Sequence, residues 1–488
     1  MPSILGANSV SGYEIENSMR FNRGDAACLR KTFSGSPSST KACTISFWTK
    51  LGAPQDTNAK AIFSAIKSGS NEDVIKFMGV NNSILNALEI NFNNTNAGTM
   101  MISDGNDTLI KFRDPSAWYH FVIAIDSGDG TATNRVKAYV NGTQRDVQAR
   151  VEGGSITDDV VLTENYELGF LTASAHSIGE NVESAGNEPY DGYLADFNFI
   201  DGQQLDPSYF GETNNNGVWV PKKYAGSYGN YGFFLEFQGT GTSADASGKG
   251  ADTSGNGNHF DDANATAADI TTDTPTNNYA ILNPVSDIST SVTFTEGNTR
   301  ASIGNGSTNR SVGSMGFTSG KWYWEVKYIS TSSGASHLEI GFVDTVIGLR
   351  YHIRGNDGER WDNGSSSSGT NHRHDPDDII GVYVDADNQK WYLQVNGSNS
   401  NGGNGAADVS AGTGFIHQSF AVTDFILPYF ANASGGGGHI FEVNFGNAPF
   451  TISSSNSDAN GHGSFEYNPT NDGVNFYALN SKNLAEFG

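Results

Sequence analysis

Basic residues are scarce in this chain. Lys and Arg together number 28 against 53 Asp and Glu, a formal net charge of −25, and charged residues of both signs make up only 17% of the 488. A surface of that sign repels phosphate, so a nucleic-acid-binding role is excluded. Long apolar runs are also missing. The longest are about five residues, as in Phe121–Ile125, where about 20 are needed to span a bilayer, and no membrane insertion is expected. Residues 1–13 lack a basic stretch followed by an apolar core, so no Sec-type leader is expected. Two cysteines, Cys28 and Cys43, cannot build a disulfide framework. Helical periodicity is rare. The best short helix is Asp206–Phe210, with Asp as N-cap and Pro207 at the first helical position.

What the chain does have is turn formers and aromatics. Gly takes 59 positions, Asn and Ser are abundant, and Phe, Tyr and Trp amount to 11%. Aromatic content of that order argues against disorder. Turn residues alternating with Val, Ile, Phe, Tyr and Trp give the composition of an all-β protein. The strands can be placed. Ile45 and Phe47 alternate with Ser46 and Trp48, and Trp118–Ile125 reads as a mostly buried strand. Val136, Ala138 and Val140 share one face before Asn141-Gly142, a strong hairpin signal. Tyr193–Phe199 alternates again. Later, Trp322, Trp324, Val326 and Tyr328 share a face, Ile379–Val384 is a buried strand, and Trp391, Leu393 and Val395 return to Asn396-Gly397. The two hairpins echo each other, Lys137–Gly142 against Tyr392–Gly397, while their surroundings do not align. This predicts two β-sandwiches that use similar hairpins. The expected division is an N-terminal arm (1–14), a first sandwich (15–238), a polar connector (239–285), a second sandwich (286–450) and a C-terminal docking module (451–488).

At these motifs the sequence resembles known families. Thr44–Trp48, Trp118–Phe121, Ala138–Gly142 and Gly192–Phe197 resemble the laminin-G-like branch of the concanavalin A-like lectin/glucanase superfamily. Gly320–Val326, Ile340–Phe342, Asp378–Val382 and Leu427–Phe430 resemble a SPRY domain. Both imply antiparallel, jelly-roll β-sandwiches. The pairing, the Gly- and Asn-rich style and the ending Tyr477–Ala485 are similar to virion structural proteins of bacteriophages that serve in tail fibres and other appendages. That resemblance implies a virion location after assembly in the host cytoplasm, contacts with other virion proteins, and, by analogy with fibres, a homotrimer. In that reducing compartment Cys28 and Cys43 are expected as free buried thiols; a disulfide is the alternative.

Some lectin-like relatives are glycosidases with carboxylates spaced Glu-x-Asp-x-x-Glu on one strand. The chain has no such spacing, and Glu236 and Glu325 each stand alone in their strands. There is no Gly-x-Ser-x-Gly elbow, and the Gly402–Gly405 and Gly435–Gly438 runs lack a phosphate-loop ending. No cofactor is required on this reading. Laminin-G-like folds do hold rim calcium ions, and the resemblance offers Asp104 and Asp107 in one loop and Asp126 and Asp129 in another as ligands; the alternative is that these are ordinary Asp-rich turns. His372 and His374 form the one His-x-His, read as loop histidines.

The binding surface expected from the sequence is the loop region containing Arg350, Tyr351, His352, Arg354, Arg360 and Trp361. It concentrates cations and aromatics in an acidic protein, and SPRY folds bind through their loops. The competing reading packs Trp361 under the loop and uses the arginines to neutralise nearby acids. The functional expectation is a non-enzymatic phage appendage protein that recognises host-surface glycan or protein. A polysaccharide depolymerase on the lectin-like domain and a capsid decoration or collar protein are the alternatives.

Overall fold

A computed structural model describes residues 12–52, 58–79, 86–92, 99–104, 108–150, 156–157, 162–183, 186–285, 291–306, 309–332, 338–345, 348, 350–355, 358–362, 365–367, 373–399, 408–420, 422, 425–432 and 437–488. The described chain is β-rich, its strands almost all antiparallel, in two units that divide between Thr276 and Asn277.

In the first unit, Ala42–Leu51 lies between Gly192–Asp201 and Trp118–Asp126, and Val136–Val140 and Thr143–Arg150 continue outward. The opposing layer runs through Cys28–Thr32, Ala175–Ile178, Lys60–Ser68, Asn71–Phe77, Leu88–Asn91 and Thr99–Ser103. Alternation decides which residues meet. Ile45 and Phe47 point into the core while Ser46 and Trp48 point away. Phe63 from one layer packs on Phe197 and Phe199 of the other at 5.7 and 5.6 Å between ring centroids, which fixes the two layers face to face. Cys28 and Cys43 are free and buried, and burial pushes the Cys43 thiol well above its usual pKa.

The polar stretch after residue 238 is no connector over most of its length. Asp261–Ala263 pairs with Cys28–Thr32, and Ile270–Thr271 pairs with Ser18–Phe21. The buried Asp273 carboxylate accepts from Lys50 Nζ at 2.8 Å and from Trp118 Nε1 at 3.2 Å. Asp252 does similar work, accepting N–H groups of Phe234, Ser254 and Asn258 at 2.9, 2.8 and 2.7 Å. The stretch has few apolar side chains, so composition marks it as a linker; its anchorage is largely polar, with Phe260 alone buried in the core against Phe233, and does not show in a hydrophobicity count.

In the second unit, one sheet orders Val292–Thr295, Arg300–Ile303, His439–Asn444, Lys321–Thr331, Ile379–Asp385, Lys390–Val395 and Ser398–Asn399. The other orders Arg310–Val312, Ile426–Asn432, Leu338–Asp344, Arg350–Arg354, Arg360–Asp362 and Ser365–Ser367. Trp322, Trp324, Val326 and Tyr328 face the core between them, as their spacing predicts. Tyr323 and Glu325 face the other way, and the C-terminal segment covers them with Phe465 and Phe476. The buried Glu325 carboxylate accepts from the amides of Glu466 (3.1 Å) and Tyr467 (2.7 Å), from Tyr323 Oη (2.9 Å) and from Asn444 Nδ2 (2.9 Å). Tyr477–Ala478 adds a short parallel strand to Lys321–Thr331, and a helix, Ser481–Phe487, ends the chain with Asn480 as its N-cap. The segment 451–488 therefore packs as part of the second unit.

The two hairpins share one device. Asn141-Gly142 and Asn396-Gly397 both take positive φ, at 47° and 76° and at 49° and 73°, as a two-residue turn of this hand requires. Each Asn side chain accepts the amide that begins or enters the neighbouring strand, His120 N at 2.8 Å and Ile379 N at 3.0 Å. A Cβ on Gly142 would lie 2.4 Å from the Trp219 ring. Gly142→Ala is expected to destabilise the first unit by about 2 kcal/mol through strain and that clash, read as a lower Tm of its transition. Glu325→Ala is expected to cost about 3 kcal/mol by leaving two buried amides without an acceptor. Limited proteolysis should then cut within 466–488 before the rest of the second unit unfolds.

Candidate functional site

The strand register of the smaller sheet in the second unit sorts the six residues expected to bind. His352 lies opposite Trp361, and Ile353 opposite Arg360. Alternation then sends Arg350, His352, Arg354 and Trp361 to the outer face and Tyr351 to the core. Tyr351 is 4% exposed and stacks on Phe342 and His417 at 5.3 and 5.2 Å. Arg360 also leaves the outer face, with its Nη1 donating to the Ile416 carbonyl at 2.8 Å. Four of the six residues are thus brought together, and two are structural.

On the outer face an aromatic row crosses the strands. Tyr429 and Gly341 are paired neighbours, and Gly341 pairs with His352. A Cβ at Gly341 would sit 1.9 Å from the Tyr351 carbonyl oxygen, so no side chain fills that point of the row. The His352 ring lies 5.7 Å from Tyr429 and 6.0 Å from Trp361, nearly parallel to the latter at 6°. Cations flank the row at both ends. The Arg350 guanidinium lies 5.7 Å over the Tyr429 ring, and that of Arg354 lies 5.7 Å over Trp361. Arg354 pairs with Glu359, which also accepts from Trp361 Nε1 at 3.1 Å. His352 Nε2 stands 3.4 Å from Glu339. Burial, helped by Glu339 and opposed by Arg350 and Arg310, pushes the Tyr429 phenol up to about 12. Tyr429, Arg310 and Glu339 are the members that sequence reading missed. They lie on distant strands, and only the outward alternation of Arg310-Ser311-Val312 and Leu427-Pro428-Tyr429 could have pointed to them.

The loop at 126–129 does not fit calcium. Asp126 Oδ1 accepts the Gly128 amide at 2.9 Å and Asp129 Oδ1 the Thr131 amide at 2.7 Å, so these carboxylates close their own turns. The Asp129 carbonyl accepts from Arg135 Nε at 2.8 Å and that of Leu162 from Nη1 at 3.1 Å; a guanidinium of the chain itself occupies the carbonyl cluster. Asp104 is exposed, and Asp107 lies outside the described residues. Among the described residues no three His, Cys, Asp or Glu come together at a metal-binding distance. His374 is buried with Nε2 at 3.0 Å from the Leu338 carbonyl, and His372 lies outside the described residues.

One acidic group in the first unit is electrostatically unusual. Asp196 sits at a bulge of Gly192–Asp201 with φ of 45°. Tyr13 Oη donates to its Oδ1 at 3.2 Å. Burial pushes this carboxyl up to about 7, with Glu236 adding to the rise and Tyr13 and Lys223 opposing it. Glu236 is thus not isolated in space; it also pairs with Lys223 at 2.9 Å.

Residues 30–205 match the family model of the concanavalin A-like lectin/glucanases superfamily, laminin-G type 3, and the first unit carries that lectin-like domain. No curated protein matches the sequence. Solved structures similar to the chain include the SPRY domain of human HERC1, 16% identical over 30% of this chain and 87% of that one, with a TM-score of 0.23. A heptameric SAP-like pentraxin from Limulus polyphemus is 19% identical over 40% and 80%, with a TM-score of 0.25. The TRIM65 PSpry domain is 12% identical over 34% and 88%, with a TM-score of 0.24.

The raised Asp196 carboxyl has a stability consequence. A folded-state pKa of about 7 against about 3.9 unfolded means that the unfolded chain loses this proton first as pH rises. The contribution is fully present below about pH 4 and is lost as pH rises through 7. Asp196→Asn, which cannot ionise, should raise the Tm of the first unit relative to wild type at pH 7.5 and show a smaller gain at pH 4, measured by calorimetry.

Proposed function

We propose that the protein is a structural virion component of a bacteriophage, a tail fibre or comparable appendage, and that it holds host-surface glycan or protein without catalysing a reaction. The observation that carries the recognition role is the Tyr429–His352–Trp361 row with its flanking arginines. These side chains stand on paired strands rather than on a free loop, and the partners above fix their rotamers, so little ordering entropy is lost on binding. Aromatic faces suit sugar rings, and guanidinium groups and carboxylates suit hydroxyls and charged substituents. The virion assignment is supported by the resemblance of the Gly- and Asn-rich chain and its Tyr477–Ala485 ending to phage appendage proteins. Other virion proteins and further copies of the chain, in a threefold arrangement, are its partners on this reading.

A polysaccharide depolymerase remains the second reading, because one observation favours it. Asp196 is a carboxyl with a raised pKa in the field of Glu236, the kind of environment that keeps an acid catalyst protonated. Against it, Tyr13 and Lys223 already engage the two groups.

Immunogold labelling of intact particles tests the virion assignment, with gold expected on tails or appendages in tens of copies. Labelling over the capsid in hundreds would indicate a decoration protein. In a cell-adsorption assay, Trp361→Ala is expected to lower binding of the full chain at least tenfold with its fold retained. Release of reducing ends from host polysaccharide that disappears in Asp196→Asn would instead establish the enzyme.

A further inference from the structure

Beside the aromatic row, the outer face of the same sheet holds a cleft of about 300 Å³. Its walls include Arg310 and Val312 from one edge strand, Leu427 and Tyr429 from the next, and Val343 and Arg350 further across. The two arginines are far apart in sequence and line the same cleft as Tyr429, whose phenol both influence. Arg350 Nη1 donates to Tyr429 Oη at 3.4 Å. Among the described residues Arg350 has no carboxylate within ion-pair distance, in a chain with 53 acids to 28 bases. Lys50, Lys249 and Arg300, by contrast, are matched by Asp273, Asp262 and Glu442. Asp344, a buried residue, also lines the cleft, as do Ser311 and Thr345. Two guanidinium groups thus share the cleft with the apolar side chains of Val312, Val343 and Leu427, and its volume has room for one saccharide residue.

We infer that this cleft binds an oxyanion carried by a sugar, a carboxylate or a phosphate, with Arg350 and Arg310 donating to the anion and Tyr429 and the aliphatic side chains meeting the ring carbons. A planar fork of N–H donors suits either group. This rests on the glycan-recognition reading above and adds the chemical class of the ligand.

Titration calorimetry with the full chain tests it, using methyl glucuronide, glucose 6-phosphate and methyl glucoside as probes. At least one of the two anions is expected to bind at least tenfold more tightly than the glucoside, and the tighter one names the source of the charge. Affinity should fall as salt rises. Arg350→Gln should lose at least tenfold with an unchanged Tm, whereas Arg300→Gln, on the other sheet, should keep wild-type affinity. The inference is overturned if neither anion binds, if the glucoside binds as tightly as the anions, or if Arg350→Gln has no effect. Cell adsorption measured on the same preparations separates the two levels. Adsorption that survives those failures leaves the recognition role standing, and adsorption that is absent removes it as well.

Discussion

Buried carboxylates that accept backbone N–H groups hold both sandwiches together. The chain has 53 acids and 28 bases, 25 acids in excess, so many carboxylates cannot meet a cation. A buried carboxylate is nevertheless tolerable when several donors converge on it. Asp201 accepts the amides of Ser38, Ser39 and Tyr231. Asp252 gathers three amides around the 252–258 loop, and Asp458 takes those of Asn460, His462 and Ala478 together with Asn483 Nδ2. Glu325 fastens the C-terminal segment in the same way. In each case one side chain satisfies loop amides that would otherwise be buried without acceptors. Acidity is therefore part of how this fold is built, beyond its use in surface turns.

This explains what could and could not be read from the sequence. Strands whose apolar residues alternate, such as Ala42–Leu51 and Lys321–Thr331, were readable because a sheet face must match a core. Both Asn-Gly hairpins were readable because positive φ selects those residues. The 239–276 stretch was not, since Asp273 acts through Lys50 and Trp118, far away in sequence, and Asp252 through backbone amides that leave no apolar pattern. The terminal helix escaped notice because seven residues carry too little periodicity to register.

The proposed binding face divides along the same line. Sequence proximity located Arg350, His352, Arg354 and Trp361, but a cluster in sequence spans both faces of a strand. Tyr351 and Arg360 were carried along by adjacency and turn out to serve the interior. The competing reading of that cluster is partly realised too, since Arg354 pairs with Glu359. Arg350 differs, and with Tyr429 and Arg310 it extends the face toward residues that only strand pairing brings near. The first unit contributes a lectin-like sandwich whose own outer face is aromatic at Trp48, Trp118 and Trp219, but there Trp48 and Trp219 stack on the buried His120 and are engaged internally.

The claim that the smaller sheet of the second unit is the recognition surface is most directly tested by hydrogen–deuterium exchange of the full chain, with and without polysaccharide purified from the host surface. Added protection is expected at Arg350–Arg354, Arg360–Asp362 and Ile426–Asn432, with the first unit unchanged. Protection confined to the strands around Trp118 and Trp219, or none at saturating polysaccharide, would contradict it.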